Sequence, residues 1–178
     1  LKITRDIIKI KSVFSKTIDS NILYLRIASF DKNVVELLSE EIKKHPNHIG
    51  IVLDLRNNPG GLLDQAVGTV DLFVDNGVIV SQKGRDVQSE EKFNATPKDT
   101  LTKKPLVVLV NNGSASASEI VSGAIQDLKR GVIVGENTFG KGSVQVILPL
   151  DDGQKEAIKL TVAKYYLPSG RTIQATGI

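Results

Sequence analysis

Short apolar runs alternate along the chain with segments whose apolar residues recur at helical spacing, and this alternation restricts the fold more than any other feature. Ile49 to Leu55 and Leu106 to Val110 are nearly continuous apolar runs, the type buried on both faces of a parallel sheet. Val132 to Gly135 reads as another strand, and Val78 to Gln82 as one more. Between these runs, Val34, Val35, Leu37, Leu38 and Ile42 predict an amphipathic helix from Asn33 to Lys44, stopped by Pro46. Further helices are predicted near Leu63 to Phe73 and from Ala115 to Lys129, with a polar, Pro-containing excursion from Lys83 to Lys104. Strands alternating with helices imply an α/β domain with a mainly parallel central sheet, flanking helices and right-handed crossovers. The first 30 residues alternate apolar and polar positions, as in Ile7 to Ile10, Val13-Phe14 and Ile22 to Ile27, which fits two or three strands. At the other end, Ser143 to Leu150 and Ala157 to Leu167 flank an Asp151-Asp152-Gly153 turn and predict an antiparallel β-ribbon.

The length of 178 residues suits a single domain. No stretch approaches the roughly 18 consecutive apolar residues of a membrane span, and the N-terminus lacks a secretory-signal pattern. Basic and acidic residues are intermixed at a net charge of +3, and aromatics make up only 4%, so no nucleic-acid face is expected. The absence of cysteine excludes disulfides, thiolate metal sites and cysteine nucleophiles. Neither cofactor nor metal is expected. The abrupt opening Leu1-Lys2-Ile3-Thr4, without an initiator Met, reads as part of something longer.

Ligands of open α/β sheets bind at loops leaving the carboxyl ends of strands, which singles out Arg56 to Leu62, Asn111 to Ser118 and Glu136 to Gly142. The middle loop runs Gly113-Ser114-Ala115-Ser116-Ala117-Ser118-Glu119 into a helix, where the dipole and free N–H groups favour a developing oxyanion. Taken alone, a helix cap by Ser114 or Ser116, with Glu119 completing a capping box, is the plainer account. A serine nucleophile needs a base, and the only histidines, His45 and His48, fall at the far edge from these loops. The remaining route is a lysine kept neutral by burial. Lys141, between Gly140 and Gly142 and beside Phe139, is such a candidate, although an exposed lysine in a glycine turn is the commoner situation. Gly135 to Lys141 also matches phosphate-loop spacing, but Gly142 stands where Ser or Thr should follow, and the next residues are strand-like. In the first loop, Asn57-Asn58-Pro59-Gly60-Gly61 can be read as an oxyanion donor or as a plain turn.

Together the runs Asp54-Leu55-Arg56-Asn57-Asn58-Pro59-Gly60-Gly61, Gly113 to Ile120 and Thr138-Phe139-Gly140-Lys141-Gly142-Ser143-Val144-Gln145 resemble the carboxyl-terminal processing, or tail-specific, serine peptidases. The flanks Ile22 to Phe30 and Tyr165 to Arg171 fit as well, so the resemblance covers essentially the whole chain. It implies a ClpP/crotonase-like core, with Ser116 as nucleophile, Lys141 as general base and Gln145 orienting the lysine. It also implies an oxyanion hole from the Ala117 amide and a glycine of the paired-glycine loop, assigned to Gly61 with Gly60 as the alternative. Residues 1–178 would form one peptidase core, with residues 1–30 a β-rich lead-in after a missing PDZ domain and residues 31–178 the catalytic part. The partners so implied are protein or peptide substrates with apolar C-termini, the PDZ domain of the full-length protein and, in some cases, further copies of the chain; the implied location is the periplasm or another extracytoplasmic site. Two rivals on related folds are a non-catalytic binding protein, like the retinoid-binding repeats, and a crotonase-type acyl-CoA enzyme. Retention of Ser116, Lys141 and Gln145 argues against the first, and the lysine loop suits the second poorly.

Overall fold

The computed structural model describes residues 11–19, 21–85, 90–150 and 156–178. In chain order the strands are β1 (Val13–Ile18), β2 (Ile22–Ile27), β3 (Gly50–Asp54), β4 (Val78–Gly84), β5 (Glu90–Asn94), β6 (Leu106–Val110), β7 (Val132–Gly135), β8 (Ser143–Pro149) and β9 (Ala157–Tyr166). The helices are α1 (Val34–Lys44), α2 (Leu63–Asp71) and α3 (Ala117–Asp127). A five-stranded sheet runs in the order β1-β2-β3-β6-β7. Its strands β2, β3, β6 and β7 are parallel, and β1 joins β2 as an antiparallel edge. The expected α/β core with a mainly parallel sheet is therefore present.

Periodicity explains which faces are covered. On β2 the alternating residues Leu23, Leu25 and Ile27 are buried, whereas β3 is buried along nearly all its length. Val34, Leu38 and Ile42 form the buried stripe of α1, and α3 is buried from Ala117 to Ile125, with Val121 and Ala124 fully covered. All belong to one apolar core. Burial of such side chains contributes about 1.5–3 kcal/mol each relative to exposure.

The C-terminal ribbon is part of a larger unit, an antiparallel four-stranded sheet in the order β5-β4-β9-β8. The strand near Val78 to Gln82 was expected within the strand–helix alternation, yet it pairs with β5 and β9 instead of the parallel sheet. Local periodicity identifies a strand but not its partner, which here lies some 80 residues downstream, as in Ser81 opposite Tyr166. The polar excursion also contains a strand. Because β5 is an exposed edge with the composition Glu-Glu-Lys-Phe-Asn, it carries no apolar alternation to betray it. The expected strand at Ile7 to Ile10 and the turn at Asp151-Asp152-Gly153 lie outside the described residues.

Candidate active site

Because β3, β6 and β7 are parallel neighbours, the loops leaving their carboxyl ends emerge side by side. These are the three loops selected from the sequence. Side chains stitch the first to the second: Asn57 and Asn111 exchange bonds of 2.8 and 2.9 Å. The Ala115 N–H donates to the Asn58 carbonyl at 3.0 Å, and the Phe139 N–H of the third loop donates to the Ser114 carbonyl at 3.0 Å.

Three serines compete for the nucleophile's role, and their surroundings separate them. The Ser114 hydroxyl is fully buried and donates to the Leu55 carbonyl at 2.8 Å. The Ser118 hydroxyl, equally buried, donates to the Asn58 carbonyl at 2.9 Å. Both are fasteners. Ser116 is only half-buried, at the N-cap of α3, with φ 55° and ψ −111°. A non-glycine residue in that region costs about 1–3 kcal/mol, so the surrounding structure must hold the turn in place.

The neighbouring backbone contains unused donors. Gly60 packs directly on this turn, where a Cβ would lie 2.8 Å from the Ser116 Cβ and 2.9 Å from the Ala117 nitrogen. The Gly60 N–H donates to Asn58 Oδ1 at 2.9 Å. Gly61 bridges Phe30 through the Gly60 carbonyl and the Leu62 N–H, which leaves its own N–H outside that ladder. Among the described residues, the amides of Gly61 and Ala117 donate to no protein acceptor. Of the two glycines, Gly61 therefore has the amide to spare.

Glu119 ties the second loop to the third. Its fully buried carboxylate accepts from the Ser116 N–H at 2.8 Å and the Lys141 N–H at 2.9 Å through Oε2. Through Oε1 it accepts from the Thr138 hydroxyl and the Gly140 N–H, both at 2.6 Å. The Ser116 N–H bond is one half of the expected capping box, and the other half, the Glu119 N–H directed at the Ser116 side chain, is present as well; the remaining three bonds to the carboxylate are contacts that local spacing does not reveal. Asn58 was passed over as a turn residue, yet it is fully buried, donates to the Ile27 carbonyl at 2.9 Å and organises both loops around it. The only signal for either was a small polar residue or carboxylate inside a motif.

Lys141 lies half-buried on this loop, and among the described residues its amine enters no ion pair and makes no hydrogen bond to the Ser116 hydroxyl. Phe139 is 69% exposed and so does not wall it in. Gln145 sits on β8, where its Nε2 donates to the Thr161 hydroxyl at 3.4 Å across the β8–β9 pair. The amides from Thr138 to Gly142 are all taken, by Ile178, Ser114, Glu119 and Gln174. Between Thr138 and Gly142 no row of free N–H groups is left to cradle a phosphate, which argues against the phosphate-loop reading. His48 is buried at the opposite end of β3, with Nδ1 2.7 Å from the His45 carbonyl oxygen.

Beneath the first loop, Asp54 is 2% exposed and accepts from Arg56 Nε at 2.9 Å, Arg56 Nη2 at 2.6 Å and the Tyr24 hydroxyl at 2.6 Å. Burial alone would raise its pKa, but the bonds from Arg56 and Tyr24 outweigh it and hold the carboxyl below its ordinary value. Burial and the adjacent Asp54 push the Tyr24 phenol upward. No cluster of three or more metal-ligating side chains occurs among the described residues.

The profile of peptidase family S41 matches residues 21–178. The chain is 48% identical over 184 aligned positions to a carboxy-terminal-processing protease of Bartonella bacilliformis, covering 100% of this chain and 42% of that protein. It is 40% identical to the carboxy-terminal processing protease CtpA of Bacillus subtilis, covering 100% of this chain and 38% of that one. Among solved structures, a photosystem II D1 C-terminal processing protease superposes with a TM-score of 0.85 at 34% identity, over 98% of this chain and 48% of that one. The chain thus spans less than half the length of these relatives. With a family match across all three loops and the fold that carries them, the chain belongs to peptidase family S41.

Proposed function

We propose that this chain is the catalytic core of a serine endopeptidase that processes protein carboxyl termini, with Ser116 as nucleophile and Lys141 as general base. The observation that carries the reading is a pair of unpartnered amides, Gly61 and Ala117, flanking the one serine of the run whose hydroxyl is not committed to a carbonyl. Preorganised N–H groups of this kind stabilise the oxyanion of an acyl-transfer intermediate. Lys141, in its neutral form, accepts the Ser116 proton as Oγ attacks the scissile carbonyl carbon. The tetrahedral oxyanion rests on the two amides. Collapse expels the amine, which takes the proton from Lys141, and water activated by the same lysine then releases the acyl group from Ser116. Glu119 does not compete for the lysine amine, because four other donors occupy its oxygens. Gln145 is assigned the orienting role by family likeness, and it would have to leave Thr161 to act.

The same reading assigns substrates with apolar C-terminal tails, delivered by a PDZ domain of the full-length protein, and a site of action in the periplasm or another extracytoplasmic space. Self-association is compatible with it. Within the described residues no helix is long and apolar enough to cross a membrane. The names of the relatives, which describe carboxyl-terminal processing, support the substrate class. The test is labelling of the full-length protein with a fluorophosphonate. The modified peptide should contain Ser116, labelling should vanish in Ser116→Ala and slow sharply in Lys141→Ala. Peptide hydrolysis that survives Ser116→Ala would sink the assignment.

A further inference from the structure

Lys141 stands between Gly140 and Gly142, so no adjoining side chain stiffens the backbone that carries its amine. Its position must be imposed from outside the loop. Glu119 supplies one set of restraints, and residues after β9 supply a second. Gln174 Oε1 accepts from the Gly142 N–H at 3.0 Å, and the Ala175 N–H donates to the Gly140 carbonyl at 2.8 Å. The Ile178 N–H donates to the Thr138 hydroxyl at 2.8 Å. There is no slack between the two segments: a Cβ on Gly142 would lie 2.6 Å from the Gln174 nitrogen, and one on Gly177 would lie 2.6 Å from the Thr138 carbonyl oxygen.

This closing segment is itself gripped by the far end of α3. Arg171 Nη2 lies 3.1 Å from Asp127 Oδ1 and 2.5 Å from Gln126 Oε1, and the Ser169 N–H donates to Asp127 Oδ2 at 3.0 Å. Between the two ends of the helix, Gly123 leaves room for the Leu167 and Ile178 side chains. One helix therefore presents Ser116 at its N-terminus and, through the segment anchored at its C-terminus, fixes the peptide groups on either side of Lys141.

Resting on the reading of Lys141 as the base, we infer that Gln174 is a positioning residue for that base, acting through the buried Gly142 N–H that its side-chain oxygen accepts. Removing the oxygen strands a buried donor, and the loop must turn to satisfy it. Displacement of a reacting group by about 1 Å costs up to roughly 10²-fold in rate. Among the described residues, the charged groups near the loop include Glu136 at its own start, Glu119 from α3 and Lys164 of β9, which pairs with Ser143; residues 172–177 carry no charge. A carboxylate at position 174 would keep the acceptor and add a charge that favours the protonated lysine.

The experiment compares wild type, Gln174→Met and Gln174→Glu in the full-length protein, with peptide hydrolysis followed as kcat and KM across pH and fold retention followed by thermal unfolding. Gln174→Met should lose about 10- to 100-fold in kcat, with KM changed less than about twofold. Gln174→Glu should recover most of that loss at high pH, with the rising limb of its rate profile displaced upward from that of wild type. An unchanged kcat in Gln174→Met overturns the inference. So does a loss that Gln174→Glu shares at every pH with no displaced limb, since that is what a purely structural contact gives. If Gln174→Met does not fold, the Gln174→Glu limb decides. Wild-type protein that neither hydrolyses peptide nor labels at Ser116 overturns the peptidase reading itself, whereas active wild type indifferent to Gln174 overturns this inference alone.

Discussion

The serine loop and the lysine loop lie side by side but are built on opposite plans. Around Ser116 the backbone is strained and two amides are left without partners, while the flanking serines lock the turn to Leu55 and Asn58. Around Lys141 the backbone amides from Thr138 to Gly142 are all spent. Spare donors are useful only where negative charge will develop, and a fully bonded loop is useful only where geometry must not drift. If Ser116 and Lys141 act as proposed, the difference assigns electrostatics to the serine loop and positioning to the lysine loop. Glu119 belongs to both, since one oxygen holds Ser116 N and Lys141 N together.

The largest effects should come from the groups proposed to react. Ser116→Ala and Lys141→Ala should each lower kcat by on the order of 10³-fold or more while thermal unfolding changes little. Next is Gly60→Ala. A Cβ there meets the Ala115 carbonyl oxygen and the Ser116 Cβ, both at 2.8 Å, with φ at 101°, a conformation unfavourable for any other residue. The variant should lose about 2–4 kcal/mol in denaturant unfolding and most of its hydrolytic activity, because the strain falls on the turn that carries both Ser116 and Ala117. A fully active Gly60→Ala enzyme would contradict the division of labour between the loops.

Much of this arrangement was legible in the sequence, for identifiable reasons. Apolar runs marked β3 and β6, helical spacing marked α1 and α3, and the carboxyl ends of the strands pointed to the three loops, because each of these is a local pattern. Choosing Ser116 over Ser114 and Ser118 required either family likeness or the hydrogen bonds that commit the other two. Preferring Gly61 to Gly60 likewise turned on where one amide points. What could not be read was the strand hidden in polar β5, which carries no apolar alternation, and two long-range features, the entry of β4 into the second sheet and the reach of Glu119 and Gln174 to the lysine loop. Contacts between residues as far apart as Ser81 and Tyr166, or Gly142 and Gln174, leave no periodicity behind. The apolar surroundings expected for Lys141 depended on Phe139 turning inward, and it points largely to solvent.

Glu119→Gln probes the shared restraint. An amide keeps one acceptor oxygen and places an NH2 group where two donors already point, so up to two of four buried bonds are lost and replaced by donor–donor contacts. A loss of about 2–4 kcal/mol is expected. Activity should fall more steeply than in a surface variant of equal stability, and Glu119→Asp, with a shorter reach, should not restore it. If stability falls while kcat is preserved, the carboxylate is a core fastener and not a link between the two loops.

The smallest effect tests whether the first loop, which carries the proposed Gly61 donor, depends on charge as the third depends on Glu119. Asp54 has a folded pKa below its unfolded value because Arg56 and Tyr24 bond to the carboxylate against the opposing pull of burial. Its contribution is therefore complete above the unfolded value of about 3.9 and disappears as pH falls through the lower folded value. Arg56 is half exposed, which screens the pair and keeps the contribution modest. Asp54→Asn should cost about 1–2 kcal/mol at pH 7 by denaturant unfolding, and the gap from wild type should narrow progressively below pH 4. A gap that stays constant into acid would mean that hydrogen-bond shape, not ionisation, secures this loop; in that case the carboxylate of Glu119 would be the only charge on which the three loops depend.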